Sequence, residues 1–212
     1  MSSAIVIGAG PGIGASVARR LGREGLAVGL IARSRRTLDV TAATVLGTVF
    51  AAAADVARED DLRAALDDLI DRAGVPELLV YNVALIQADA PGTLTAAQHL
   101  DAYAVNVVGA ITAVAHVGPR MAAARRGTIV LTGGMPEPVP EVTSLSLGKA
   151  GIRALTQLLA RAYEPRGVHV ATVTVGGTVA PGTAYDPDDI ADHYWRLHTQ
   201  SAGAWEREVV YG

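Results

Sequence analysis

The sequence contains no cysteine, a single lysine and a single phenylalanine among its 212 residues. Without cysteine the chain has no disulfide, no thiolate nucleophile and no cysteine-ligated metal. Its five histidines do not occur at metal-ligand spacing, so no metal site is predicted. No apolar run reaches the roughly 18 residues that span a bilayer, because Gly, Arg or Asp interrupts each one. These absences predict a protein without a disulfide framework, a metal centre or a membrane partner.

Charge is low and evenly spread. The net charge is −3, and the arginines are scattered among carboxylates, so no basic stripe predicts nucleic-acid binding. The N-terminus runs into the apolar stretch Ala4–Ile7 without a charged leader, which predicts a soluble, cytoplasmic protein. The length suits one α/β domain over residues 1–212.

Short apolar runs alternate with longer stretches of helical periodicity. Strands are predicted at Ala4–Ile7, Ala27–Ala32, Thr48–Ala54, Leu78–Asn82, Thr128–Thr132, Val168–Val175 and Arg207–Tyr211. Helices are predicted at Gly12–Glu24, Thr37–Leu46, Glu59–Ala73, Leu147–Tyr163 and Pro187–His198, and from a Thr95 cap to Arg125 with a kink near Gly109 and Pro119. This alternation predicts a Rossmann-type, three-layer, doubly wound sandwich around a seven-stranded, mainly parallel sheet in the order 3-2-1-4-5-6-7.

A glycine-rich turn joins the first strand to the first helix. Gly8, Gly12 and Gly14 lie within it, and Ile13 opens the helix. Glycines at such a turn let the backbone approach a pyrophosphate, and the helix N-terminus favours its charge. The alternative is a purely structural turn. The Gly8-xxx-Gly12-x-Gly14 spacing resembles the short-chain dehydrogenase/reductase family, and the resemblance extends over nearly the whole chain.

The end of the second strand carries the cofactor preference that the resemblance implies. NAD-preferring relatives have an acid there, whereas this chain has Arg33 and Ser34. Arginine grips a 2′-phosphate that an acid would repel, so NADP(H) is favoured over NAD(H). The alternative interpretation is a solvated basic turn.

Further cofactor positions follow from the same resemblance. Asp55 and Val56 match the pair that contacts adenine, although Asp55 is also suited to cap the next helix. Asn82 is the one residue of Tyr81-Asn82-Val83-Ala84 that matches the family's motif beside the cofactor. After the sixth strand, Gly176 and Thr178 are placed to contact the nicotinamide carboxamide.

The resemblance assigns catalytic roles to Asn106 and Lys149, the only lysine in the chain. Family members carry a tyrosine four residues before this lysine and a serine at the end of the fifth strand. Here Leu145 stands at the tyrosine position, and Gly134, or Gly133, at the serine position. Lys149 is therefore predicted to bind the nicotinamide ribose, since there is no tyrosine phenol whose pKa it would lower. Chance in an arginine-biased composition is the other explanation of a lone lysine.

Four hydroxyl groups are candidates for the missing functions. Thr132 is a possible replacement for the serine, and Tyr81, Tyr103 and Tyr185 are candidate proton donors. Tyr185 is favoured because it lies in the loop that usually covers substrate.

Three functional hypotheses remain open at this point. The first is an NAD(P)(H)-dependent oxidoreductase that acts on a small molecule with a degenerate active site. The second is a non-redox NADP(H)-binding sensor or partner protein, and the third is an isomerase or cyclase that reuses the pocket. By family analogy we also expect a homodimer or homotetramer formed through Ala96–Arg125 and Leu147–Tyr163.

Overall fold

The computed structural model describes residues 2–212. Its strands are β1 (Ser3–Ile7), β2 (Ala27–Ala32), β3 (Val49–Ala53), β4 (Leu78–Tyr81), β5 (Thr128–Gly134), β6 (His169–Val175) and β7 (Glu208–Tyr211). Its helices are α1 (Ile13–Arg23), α2 (Arg35–Ala42), α3 (Glu59–Ala73), α4 (Ala96–Tyr103), α5 (Gly109–Ala123), α6 (Thr143–Tyr163) and α7 (Pro187–His198). Every predicted strand and helix is present, with ends that differ by a few residues.

The sheet has the predicted order β3-β2-β1-β4-β5-β6-β7. All six strand pairs are parallel, so the sheet is parallel throughout. The strands β1, β4, β5 and β6 are buried along their whole length. Burial on both faces explains why these strands read as continuous runs of Ala, Val, Ile and Leu, without polar alternation.

Two apolar cores lie on opposite faces of the sheet. On one face, α3, α5 and α6 pack over side chains such as Ile7, Leu79 and Leu131. On the other, α1 and α7 cover Val6 and Val130 among others. The parallel direction brings the C-terminal ends of all strands to one edge, where ligands bind in sheets of this type.

The apolar segment Ala96–Ala123 is continuous and 28 residues long. Thr95 caps it as predicted, with Gln98 completing a reciprocal capping box. A π-helical turn at Ala104–Val108 lies just before Gly109, where the sequence predicted a kink. By length and composition this helix is apolar enough to cross a membrane, and half of its most apolar stretch is buried inside the fold. Contacts with α3 and α6 account for that composition.

The helix α6 begins at Thr143, four residues before the predicted start. The amide of Ser144 donates to both carboxylate oxygens of Asp89 at 3.1 Å, which satisfies a backbone donor in the first turn. The backbones of Asp89 and Val142 also pair, so the loop after β4 is pinned to the loop before α6. The early start places Leu145 inside the helix, one turn before Lys149.

Candidate active site

The glycine turn is packed so tightly that side chains are excluded. A Cβ on Gly14 would lie 2.1 Å from the carbonyl oxygen of Gly8, and one on Gly8 would lie 2.4 Å from that of Asn82. Gly8 and Gly12 also have φ values of +86° and +93°, which favour glycine. The turn therefore presents bare backbone in front of α1, whose first amide N–H groups have no intrahelical acceptor.

Two adjoining hollows lie along the C-terminal edge of the sheet and share Pro11, Asn82 and Ala84. The smaller, of about 350 Å³, runs from the glycine turn past the ends of β2 and β3. The larger, of about 850 Å³, opens between α1, β5, β6 and α6. The predicted cofactor residues line one or the other, with Gly14 alone packed behind them: Gly8, Gly12, Ile13, Arg33, Ser34, Asp55, Val56, Asn82, Lys149, Gly176 and Thr178.

The outer end of the smaller hollow carries positive charge. Arg33 is exposed, and among residues 2–212 its guanidinium has no carboxylate partner. The hydroxyl of Ser34 caps α2 by accepting from the amide of Thr37 at 3.4 Å. The carboxylate of Asp55 accepts from the amide of Ala57 at 3.0 Å. It does not cap α3, so that alternative interpretation of Asp55 was wrong.

Two asparagines connect the site to the scaffold. The side-chain amide of Asn82 donates to the carbonyl oxygen of Gly8 at 3.2 Å, which fixes β4 against the glycine turn. Asn106 is 3% exposed and lies within the π-helical turn. Its Oδ1 accepts from the amide of Leu85 at 2.7 Å, whereas its Nδ2 has no partner among the described residues. Asn106 packs against Gly148 behind the hollow, so its catalytic role stays a prediction.

Lys149 extends from α6 toward the end of β5. Its Nζ donates to the backbone oxygen of Thr132 at 2.8 Å, the one acceptor it has among the described residues. Burial lowers the pKa of this ammonium from 10.5 to about 8, because the charged form is poorly solvated there. A Cβ on Gly134 would lie 3.5 Å from Lys149 Cε, whereas one on Gly133 would face Thr172 and Thr174. Of the two glycines, Gly134 is therefore the neighbour of Lys149.

Leu145 lines the larger hollow one helical turn from Lys149. The serines on either side of it face elsewhere. Ser144 Oγ accepts from Gln87 at 3.4 Å, and Ser146 Oγ donates to the backbone oxygen of Val139 at 3.1 Å. Neither serine lines the hollow, so neither hydroxyl is offered to a bound substrate.

None of the three candidate phenols reaches this hollow either. Tyr81 is 1% exposed and donates to the backbone oxygen of Val105 at 2.6 Å, and burial together with the charge of Asp55 raises its pKa. Tyr103 lies against Gly151 on the outer face of α6. Tyr185 was favoured because of its place in the loop expected to cover substrate, but its ring packs on Gly177 and Gly212.

Two contacts here were not anticipated from the sequence. The hydroxyl of Thr132 forms a 2.7 Å hydrogen bond with that of Tyr194, a fully buried residue of α7 whose pKa is raised by burial. Arg153 Nη1 donates to the backbone oxygens of Gly134 and Met135 at 2.9 and 3.0 Å. The signal for Arg153 was its spacing, because it follows Lys149 by four residues and so shares its side of α6.

The sequence and the structure both match known short-chain dehydrogenases. The family model described as short chain dehydrogenase matches residues 2–190. A 3-oxoacyl-acyl-carrier-protein reductase of Staphylococcus epidermidis is 28% identical over 198 residues, which cover 90% of this chain and 80% of that protein. A putative ketoacyl reductase of Streptomyces coelicolor is 29% identical over 210 residues, which cover 94% of this chain and 78% of the relative.

Among solved structures, a metagenomic short-chain oxidoreductase in complex with NADP superimposes with a TM-score of 0.89. It is 29% identical, and the match covers 99% of this chain and 96% of that one. The chain thus belongs to the short-chain dehydrogenase/reductase family, whose fold binds NAD(P) and whose members are oxidoreductases.

Proposed function

We propose that this protein binds NADP(H) in preference to NAD(H) and that its active site lacks the usual tyrosine and serine, so that ordinary carbonyl reduction is slow. One observation carries the proposal. Of the residues lining the larger hollow, Lys149 and Glu137 alone have titratable side chains, and Leu145 takes up the surface one turn from Lys149. Glu137 is exposed on the loop after β5.

The residues present fit a dinucleotide phosphate. The bare backbone of Gly8 and Gly12 and the N-terminus of α1 would hold the pyrophosphate, and Arg33 the 2′-phosphate. Lys149 would donate to the nicotinamide ribose from its two remaining ammonium hydrogens. Gly176 and Thr178 would contact the carboxamide, and Asp55 and Val56 the adenine. When bound, this cofactor supplies hydride transfer. The NADP in the complex of the metagenomic oxidoreductase supports this choice.

Carbonyl reduction also needs a proton on the carbonyl oxygen, and here the chain offers little. Leu145 has no proton to give, and Gly134 has no hydroxyl to stabilise the developing negative charge. The hydroxyl of Thr132 is engaged by Tyr194 in the layer beneath. Loss of a positioned general acid slows a reaction by about 10² to 10⁴. We therefore expect that hydride transfer to a ketone is limited by protonation.

The walls of the larger hollow favour an apolar substrate. Its side chains include Ile86, Met135, Val139, Leu145 and Val179. The two similar reductases are named for 3-oxoacyl and ketoacyl substrates, so a small 3-oxoacyl thioester is our first choice of test substrate. Leu145 and Gly134 also favour a second candidate function, a non-redox NADP(H) sensor or partner protein, and an isomerase or cyclase would use the same hollow.

We further propose that the protein is a homodimer or homotetramer. Exposed apolar side chains lie on α4, α5, α6 and the π-helical turn. A monomer would leave them in contact with water, whereas an oligomer would cover them. They are Leu100, Tyr103, Val108, Ile111, Leu147 and Leu158. No nucleic-acid or membrane partner is proposed.

The test combines NADPH binding with turnover. NADPH fluorescence should show saturable binding to the unmodified protein, while reduction of a 3-oxoacyl thioester stays far below about 10 per second, the median for enzymes. Leu145→Tyr should raise turnover by about 10² or more if the missing phenol is the defect. Ala150→Tyr adds the same phenol at an exposed position of α6 outside this apolar set and is the matched control.

The outcomes separate the alternatives. Turnover near the enzyme median in the unmodified protein contradicts the proposal of an impaired site. Intact NADPH binding with no gain in Leu145→Tyr favours the sensor over the oxidoreductase. Equal gains in both tyrosine variants would show that the added phenol acts outside the hollow.

A further inference from the structure

A second, polar crevice lies between α6, β6 and the start of β7. Its volume is about 210 Å³. From α6 it is lined by Arg153, Gln157 and Arg161, which are spaced four residues apart and so share one side of the helix. Thr156 of α6, Thr172 of β6, and Arg207 and Glu208 at the start of β7 also line it. None of these residues lines the dinucleotide hollows.

The crevice retains positive charge. Arg153 Nη1 donates to two backbone oxygens, and no carboxylate within residues 2–212 pairs with its charge. Arg161 has no hydrogen-bond or ion-pair partner within residues 2–212. Arg207 alone is neutralised, because its guanidinium binds both carboxylate oxygens of Glu164 at 3.0 and 2.7 Å.

One carboxylate, that of Glu208, also lines the crevice. Its Oε1 accepts from the hydroxyl of Thr174 at 2.6 Å. No ion pair of up to 4 Å joins it to a guanidinium in the described chain. With Arg207 paired to Glu164, the charges of Arg153 and Arg161 therefore outweigh that of Glu208 by one.

The crevice is also lined by Thr172, whose buried hydroxyl lacks a hydrogen-bond partner among the described residues. Thr172 is 2% exposed. Gly133 of β5 leaves the space for it, since a Cβ there would lie 2.7 Å from Thr172 Oγ1. A buried hydroxyl without a hydrogen bond is unfavourable, and such groups are rare in folded proteins. Thr172 shares the lining of the crevice with Arg153 and Arg161, and an anionic oxygen bound there would supply the acceptor that this hydroxyl lacks.

We propose that this crevice binds a small oxyanion, a phosphate or carboxylate group, at a site separate from the dinucleotide cleft. Guanidinium forks and a hydroxyl donor are the groups that recognise such anions. The volume is below the roughly 300 Å³ at which pockets for drug-sized ligands begin, which suits a single phosphate or a short dicarboxylate rather than a nucleotide.

Arg153 connects this site to the active site. The two carbonyl groups that it holds belong to Gly134 and Met135, and both residues line the larger hollow. Met135 has a φ of 49°, so its backbone conformation depends on such support. Arg153 would therefore contact both an anion in the crevice and the loop that lines the larger hollow. If the anion changes the affinity of the hollow for its ligand, that ligand must change the affinity of the crevice for the anion by the same factor.

The experiment is a titration followed by amide resonances in ¹⁵N–¹H spectra. Inorganic phosphate and malonate are added in separate arms, with chloride at matched ionic strength as reference. We expect the amides of Thr172, Glu208 and Arg161 to shift saturably, with a Kd of about 1 mM or below in at least one arm. Saturation by phosphate alone, by malonate alone or by both would tell which anion the site prefers. The readout does not depend on cofactor binding.

Two variants and one control identify the site. Thr172→Val keeps the shape and removes the hydroxyl, and Arg161→Gln removes the unpaired charge. Each should weaken binding about tenfold or more. Arg23→Gln removes an exposed arginine of α1, on the other face of the sheet, and should leave the Kd unchanged. A response that stays linear about tenfold above that Kd, or an equal loss in Arg23→Gln, overturns the proposal.

Discussion

Replacing Lys149 by methionine should remove a pH dependence of stability that the unmodified protein carries. Burial lowers the pKa of Lys149 from 10.5 to about 8 in the folded protein. Below about pH 8 this lysine is charged in both the folded and the unfolded chain. Between the two pKa values the unfolded chain keeps the proton that the folded chain has lost, so the free energy of unfolding rises with pH.

The magnitude follows from the two pKa values. One pKa unit corresponds to about 1.4 kcal/mol, so the full effect of the shift from 10.5 to about 8 is about 3 kcal/mol. Between about pH 7 and about pH 9.5, the unmodified protein should gain about 2 kcal/mol relative to Lys149→Met. Higher pH is avoided because Tyr81 and Tyr194, whose pKa values burial raises, then lower stability in both proteins.

Urea unfolding of both proteins across this pH range measures the difference, and a constant difference would refute the reasoning. The composition offers a second measurement, since Lys149 is the only lysine. Lysine labelled with ¹³C at Cε gives one resonance whose titration reports its pKa. A midpoint near 10.5 would show that the ammonium is fully solvated, and NADPH should shift this same resonance if Lys149 contacts the ribose.

Four further predictions test separate parts of the molecule. Arg33→Ala should weaken NADPH binding about tenfold or more and leave NADH unchanged in fluorescence titrations, and equal affinities in the unmodified protein would contradict the 2′-phosphate assignment. Gly14→Ala should abolish NADPH binding and lower thermal stability, because its Cβ would lie 2.1 Å from the oxygen of Gly8; normal binding would show that the turn relaxes. Asp89→Ala should lower the urea midpoint at neutral pH, because the carboxylate that receives the amide of Ser144 is lost. Hydrogen bonding from the Ser144 side chain first, and then from its amide, lowers the Asp89 pKa below 3.8, so the difference should vanish as pH falls through that lowered pKa, and a difference that persists would exclude the charge as its cause. Leu158→Glu, at a side chain 63% exposed, should reduce the mass measured by light scattering without unfolding the chain, whereas an unmodified protein that is already monomeric contradicts the oligomer.

The fold could be predicted from the sequence because its signals are local. Buried runs such as Ala4–Ile7 and helical periodicity such as that of Glu59–Ala73 each lie within one element. The start of α6 could not be predicted, because the carboxylate that receives the Ser144 amide belongs to Asp89, 55 residues earlier. A contact between distant segments leaves no periodic pattern in either of them.

The candidate site, too, could be predicted only where its signals are local in the sequence. The spacing of Leu145 and Lys149 was readable because four residues make one helical turn. The candidate phenols do not line the larger hollow, and the sequence could not show this because it does not give the direction of a side chain. Tyr81 ends a strand whose alternation turns it into the α5 layer, and Tyr185 packs against the C-terminal glycine. The partnership of Thr132 with Tyr194 joins residues 62 apart and was invisible in the sequence.

The buried donors around the end of β5 are groups that a bound ligand would stabilise. A partly buried ammonium with one backbone acceptor is unfavourable, and the same burial lowers the pKa of Lys149. A ligand that brings hydroxyl and phosphate oxygens would offset that cost, and this need does not depend on which side chain stands at position 145. Thr172 raises the same question on the other side of Gly133, where a hydroxyl also lacks its acceptor. In both places the fold holds a buried donor whose partner, on our proposals, is a ligand, and loss of the phenol would then remove proton transfer while leaving the binding chemistry in place.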